Sequence, residues 1–301
     1  MTLSFGNRSL SWPRRGCVMG ILNINDDSFS GDGKVDQDWA RERACQMIAE
    51  GADFIDIGAE SARTNRPAIG IQEEIDRFLA FCEQWPQIVA QSTPRDKSQV
   101  WPPILSANTW RPEVVSAVLE AGVELINDMG GLPDDQNARL CAQSNAALLV
   151  MHSVGAPKED HSHVRWQKIT AETKTFFEEK LSLCEQAGLP LNHLILDPGF
   201  GFAKQPADDL LLLSRLKELT AFNRPLLLPV GRKGFIGQTL NIENPKDRDA
   251  ATLACVVTSH RRGGAIYRVH EVKGCFETLK VLNTIEPNTS PNYSSPSSHI
   301  K

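Results

Sequence analysis

The 301-residue chain has no basic surplus: 32 Lys and Arg stand against 37 Asp and Glu, a formal charge of −5. Proteins that neutralise nucleic-acid phosphates gather Lys and Arg on one face, so that class of function is disfavoured. No apolar run approaches the roughly 18 residues a membrane helix needs. Arg14 and Arg15 do precede a short apolar stretch at 18–22. It passes straight into Asn23 and an acidic loop with no small-residue cleavage site, which predicts a cytoplasmic protein. Cys-x-x-Cys pairs are missing as well. The seven cysteines are odd in number and scattered, which argues against a disulfide framework or a zinc site and for reduced, packed thiols. There is no P-loop and no Gly-x-Gly-x-x-Gly after a strand, so a nucleoside triphosphate or a dinucleotide is disfavoured, and no repeat recurs at the 20–50 residue periods of solenoids.

What is present reads as an ordinary globular chain, 41% hydrophobic and 23% charged, able to bury a large core. Eight short runs rich in Val, Ile and Leu lie at 17–24, 54–59, 104–108, 124–128, 147–152, 194–197, 226–230 and 265–270. Continuous apolarity over so few residues is what a strand buried on both faces requires. Helical patterns follow them at 37–50, 72–83, 112–121, 135–144, 165–187, 207–219, 246–261 and 272–285. Pro112-Glu113 marks one helix start, and Gly51, Gly122, Gly188 and Gly263 stand where C-caps belong. Eight strand–helix alternations predict a (β/α)₈ TIM barrel over 17–285, ahead of an open doubly wound sheet. Residues 1–16 read as an N-terminal extension. The stretch 86–103 reads as an enlarged connection on the face opposite the active site, and the Ser/Pro/Asn-rich tail 286–301 is expected to be disordered.

In such a barrel the chemistry sits at the carboxyl ends of the strands. The first run closes on Asn23, and the second leads through Gly58 to Glu60, Ser61 and Arg63. The third closes on Asn108, the fourth on Asn127 and Asp128, and the fifth on His152. The sixth closes on Asp197, the seventh on Gly231-Arg232-Lys233, and the eighth on Arg268 and His270. Polar groups in apolar strands are costly unless partnered, so these convergent ends point to a ligand cavity. A lone Asn or Asp at a strand end also serves as a turn or cap residue. Asp128 fits that role best, and Asp197-Pro198-Gly199 is itself a turn signal. The amides and carboxylate around runs three, four and six match the edge of a planar heterocycle. Arg63, Lys233, Arg268 and His270 match phosphate oxygens. These residues describe a planar ligand carrying phosphate.

The sequence resembles the dihydropteroate synthases, the pterin-binding TIM barrels of folate synthesis. The resemblance rests on MGILNINDDSFS at 19–30, EGADFIDIGAESAR at 50–63, SANTWRP at 106–112, INDMG at 126–130, DPGFGF at 197–202, GRKGFIG at 231–237 and RVHEV at 268–272, in the family's order. It implies condensation of 6-hydroxymethyl-7,8-dihydropterin pyrophosphate with p-aminobenzoate to give 7,8-dihydropteroate and pyrophosphate, with Mg²⁺. On that resemblance Asn23 serves the Mg²⁺-pyrophosphate, and Asn108, Asn127 and Asp197 read the pterin edge. Lys233 lies near the pterin carbonyl, Arg63, Arg268 and His270 hold the pyrophosphate, and Asn23, Lys233 and Arg63 carry the catalysis. Ser61, Ala62, Arg232 and Gly234 lie in the p-aminobenzoate region. The loops after the first two strands correspond to mobile lids. A homodimer is the family expectation, and no nucleic-acid or membrane partner is implied.

The chain departs from the family pattern in places. The family's third-strand aspartate is Asn108, which loses a charge that at ~4 Å and an effective dielectric of ~20 is worth roughly 4 kcal/mol before screening. A carboxylate such as Asp26 or Asp128 could restore it. The first loop's Thr-Pro is Asn25-Asp26, the second loop's Thr-Arg-Pro is Ala62-Arg63-Thr64, and the serine after the seventh-strand lysine is Gly234. The pterin half is thus better kept than the p-aminobenzoate half. Three readings follow: an active, divergent synthase less sensitive to sulfonamides, a paralogue that binds a pterin without this condensation or uses another acceptor, and a methyltetrahydrofolate-dependent corrinoid methyltransferase. The last has no use for the Arg-Lys and Arg-x-His anion groups.

Overall fold

The structure, a computed structural model, describes residues 1–25, 33–61 and 66–286. Asp26, Ala62, Arg63, Thr64 and the tail from 287 lie outside the described residues. The barrel is closed and wholly parallel, in the order β3 (Cys17–Asn23), β4 (Phe54–Gly58), β5 (Ile104–Asn108), β6 (Leu125–Asp128), β7 (Ala147–Met151), β8 (Leu194–Asp197), β9 (Leu226–Leu228) and β10 (Gly264–Val269), with β10 returning to β3. Residues 1–16 carry two more strands, β1 (Thr2–Phe5) and β2 (Arg8–Ser11), which form an antiparallel hairpin.

Helices α1 (Gln37–Glu50), α2 (Ile71–Cys82), α4 (Pro112–Glu120), α5 (Gln136–Ser144), α6 (Ile169–Gln186), α7 (Pro206–Ser214), α9 (Asp249–His260) and α10 (Val272–Ile285) match the eight helical patterns within a few residues at each end. Local signals set their ends. Asp36 caps α1 by accepting from the Trp39 amide, and Gly51 ends it at φ +111°, where an added Cβ would lie 2.2 Å from the Phe276 ring. Two further helices, α3 (Trp85–Gln91) and α8 (Gly234–Leu240), were not signalled. The α8 sequence contains Gly234 and Gly237 and reads as a loop, but Phe235 and Ile236 are buried and tertiary packing holds the helix. The remainder of 86–103 lies at the barrel floor, where the Gln99 amide donates to the Ile48 and Ala52 carbonyls and Asp53 pairs with Arg15 at 2.9 Å.

Inward-facing positions are tiered. Along β4, Phe54 packs in the floor, Gly58 lines the upper cavity and Asp56 lies between them. Along β5 the same succession is Ile104, Ser106 and Asn108. The hairpin's Leu3, Phe5, Leu10 and Trp12 close the floor from below. Apolar packing fills the lower barrel and leaves the carboxyl ends for the site. No described helix is long and apolar enough to cross a membrane.

Candidate active site

A cavity of about 380 Å³ opens at the carboxyl ends of the strands, within the size range of small-molecule sites. Asn23, Asn108, Asn127 and Asp197 line it from the strand ends, and Lys233, Arg268 and His270 line it from the ends of the last two strands. Ser61 and Gly234 complete the wall. An added Cβ at Gly234 would meet nothing within 4 Å, so the family's serine is replaced here by open space.

Three of the singled-out residues lie elsewhere. The Arg232 guanidinium pairs with Asp249 through two contacts of 2.8 Å, because φ +54° at Arg232 turns it away from the cavity lining. The Asp128 carboxylate accepts from the Gly130 amide at 2.8 Å and the Asn137 side chain at 2.9 Å, which makes it a turn residue. It therefore does not restore the charge missing at Asn108. His152 is buried beside Trp166 and Phe176, and burial pushes its imidazole toward the neutral form.

Asp197 ends β8 in a tight turn that faces the cavity. Its carboxylate accepts from the Gly199 amide at 2.7 Å. Gly199 adopts φ +71°, and a Cβ there would sit 2.1 Å from the His152 carbonyl oxygen, so only glycine closes this turn. Burial pushes Asp197 up to about 6, against the pull of the Gly199 amide, Lys233, Lys204 and Arg268. Lys233 immediately precedes α8, and its ammonium lies 4.6 Å from the centre of the Phe202 ring. Burial pushes it down to about 8, opposed by Asp197 and Asp209.

Three charged residues of the site were not among those singled out from the sequence. Lys204 donates to the carbonyls of His152, Gly199 and Phe202 at 3.0–3.2 Å and braces the turn behind Asp197. Asp209, on α7, accepts from the Gly201 amide at 3.0 Å and lines the cavity. Asp56, in mid-strand, accepts from Ser106, Asn127 and Arg268. Its one sequence signal was a charge inside an otherwise apolar strand, FIDIG.

Asn23 ends β3 with its side-chain oxygen toward β4: a Cβ built on Gly58 would lie 3.6 Å from it. Among the described residues no group of three or more His, Cys, Asp or Glu forms a metal cage. The Asn23 amide oxygen, on the same cavity as Lys233 and Arg268, is the kind of hard donor that suits Mg²⁺, which takes one or two protein oxygens and fills its remaining positions with water and phosphate oxygens.

Residues 19–270 match the family model described as pterin binding enzyme. The dihydropteroate synthase of Escherichia coli (strain K12) is 36% identical over 269 residues, covering 88% of this chain and 90% of that protein. A Yersinia pestis dihydropteroate synthase solved with a sulfonamide drug superposes with a TM-score of 0.85 at 34% identity, over 95% of this chain and all of the other. A Thermus thermophilus dihydropteroate synthase in complex with 4-aminobenzoate gives a TM-score of 0.78 at 33% identity, again over 95% of this chain and all of the other. With these matches spanning the barrel and the residues that line its cavity, the chain belongs to the dihydropteroate synthase family.

Proposed function

We infer that the chain condenses 6-hydroxymethyl-7,8-dihydropterin pyrophosphate with p-aminobenzoate, releasing pyrophosphate and 7,8-dihydropteroate. The observation that carries this reading is the convergence of buried carboxylates, amides, the cations Lys233 and Arg268, and His270 on one cavity. Asp197 accepts from the amino and ring N–H groups of the pterin edge, and Lys233 donates to its carbonyl. Arg268 and His270 hold pyrophosphate oxygens. Asn23 would hold Mg²⁺, which when bound supplies charge stabilisation to the departing pyrophosphate.

The C–O bond of the pterin methylene breaks with its electron pair on pyrophosphate, and the aniline nitrogen forms the new C–N bond and loses a proton. Fixed cations in the cavity stabilise the charge that develops on the leaving oxygen. We assign the wall opened by Gly234 to the p-aminobenzoate side, which supports a lower sensitivity to sulfonamides.

The test is pyrophosphate release from the pterin pyrophosphate with Mg²⁺, with and without p-aminobenzoate, using Lys233→Ala as control. Release that requires p-aminobenzoate and is lost in the variant supports the synthase. Release independent of p-aminobenzoate, or pterin binding without release, favours a pterin-binding paralogue.

A further inference from the structure

Asp56 is fully buried at the centre of the barrel, one tier below the cavity. Its neighbours in register are Ile21 on β3 and Ser106 on β5. Asn108 stands two residues beyond Ser106, so it shares that inward face immediately above. One Asp56 oxygen accepts from the Ser106 hydroxyl at 2.5 Å. The other accepts from the Asn127 amide at 3.0 Å and from Arg268 Nε at 2.6 Å.

We propose that Asp56 is a positioning residue for the synthase reaction, which orients Asn127 and Arg268 together from below. The proposal rests on the synthase reading.

Three observations carry it. First, a carboxylate in a barrel interior loses its hydration, and an apolar residue of similar volume would serve stability as well or better. A purely structural role therefore leaves its presence unexplained. Second, the partners on its second oxygen both reach the cavity, Asn127 on the heterocycle side and Arg268 on the anion side. The contacts fix how each is presented. A carboxylate only accepts, so Asn127 must turn its NH₂ downward, which leaves its carbonyl oxygen to accept a ring N–H or amino proton. Arg268 spends Nε on Asp56 and keeps both terminal nitrogens for phosphate oxygens. Third, the described carboxylates nearby have other engagements. Asp128 holds a turn, Asp53 pairs with Arg15 in the floor, and Asp197 and Asp209 are bound to the backbone on the β8 side.

The test is Asp56→Asn in the full chain, assayed by p-aminobenzoate-dependent pyrophosphate release and by calorimetric binding of inorganic pyrophosphate. The expected result is a fall of about 100-fold in kcat/KM for the pterin pyrophosphate, the order expected when reacting groups are misplaced by an ångström. Pyrophosphate affinity should weaken while the melting midpoint moves by only a few degrees. Asp56→Asn combined with Asn108→Asp returns a carboxylate acceptor one tier higher and should recover at least tenfold of that loss, which a structural defect would not allow.

Unchanged kinetics in Asp56→Asn overturn the proposal, as does a folded double variant with no recovery. If Asp56→Asn does not fold, the double variant decides alone. Turnover in it supports the proposal, whereas inactivity or failure to fold makes Asp56 a structural group. The native chain is the control that separates the two claims. If it shows no p-aminobenzoate-dependent release, the synthase reading fails. If it turns over and Asp56→Asn matches it, only the positioning claim fails.

Discussion

At the residue scale the site's chemistry is bounded by two shifted groups. On the proposed reading, Asp197 must be ionised to accept from the pterin edge and Lys233 protonated to donate to it. Burial raises Asp197 to about 6, so binding strengthens as pH rises through that value. Burial lowers Lys233 to about 8, so binding weakens as pH rises beyond that value. Affinity for a phosphate-free pterin, which removes the ligand's own phosphate titration, should be greatest between about 6 and about 8. Lys233→Arg should remove the alkaline limb, because a guanidinium stays charged. Calorimetric titrations across pH check both; a flat profile would remove Asp197 and Lys233 from the ligand edge. A second residue-scale expectation concerns Gly199. A Cβ there would overlap the His152 carbonyl, and the backbone is left-handed, so Gly199→Ala should cost more than ~1 kcal/mol and displace Asp197. Chemical denaturation would measure the first effect and pterin affinity the second.

The same scale shows what a sequence discloses about a site. Asn23, Asn108, Asn127, Asp197, Arg268 and His270 were legible because each closes an apolar run and the barrel assigns chemistry to those ends. Asp56 stands inside a run, and nothing in one sequence tells a charge facing the barrel axis from one at an error of register. Asp209 sits on a helix where acids are ordinary, and only the fold brings α7 to the cavity. Arg232 shows the converse, since it closes an apolar run yet its side chain pairs with Asp249 while its neighbour Lys233 lines the cavity.

At the element scale the strand–helix alternation was readable because both periods are strong, and α8 was not because its glycines mask a helix held by tertiary packing. Connections between loops were unreadable for the same reason: they join residues far apart in the chain. Lys158, in the connection after β7, donates to the Ser61 carbonyl at 2.8 Å and lies 3.4 Å from Glu60, which also pairs with Arg111 at 2.9 Å. Lys158 holds a left-handed backbone at φ +67°, a conformation its contacts must stabilise. This tether fixes the start of the second loop, where Ser61 forms part of the wall assigned to p-aminobenzoate. Losing one such contact is worth about 0.5–1.5 kcal/mol, so Lys158→Ala should raise KM for p-aminobenzoate by roughly 2–10-fold and leave KM for the pterin pyrophosphate near native. Steady-state kinetics with each substrate varied in turn separates the two, and an equal rise in both would show that the tether does not act on that wall alone.

At the scale of the whole molecule the barrel divides into a floor that carries stability and a roof that carries chemistry. The hairpin β1–β2 lies outside the eight repeating units, yet its Phe5 is 1% exposed and packs into the same cluster as Met19, Phe54 and Ile266. The hairpin is tied down at its rim by the Gly6 amide on the Asn145 carbonyl at 2.6 Å and by Arg8 on Glu124 at 3.0 Å. Between this floor and the charged ends lies the Asp56 tier, and the floor cluster meets the cavity through Met129, Met151 and Phe202 rather than through Asp197 or Lys233 themselves. Phe5→Ala should cost about 3–5 kcal/mol, the usual range for a buried phenylalanine. In a chain of this length that corresponds to a melting midpoint lower by roughly 10 °C. At 20 °C kcat/KM should stay within about twofold of native, because the variant removes no group from the upper tiers. Calorimetric melting and low-temperature kinetics on one preparation test the division. A large loss of kcat/KM in a chain that is still folded would mean that floor packing sets the geometry of the site, and that the two halves of the barrel act as one mechanical unit.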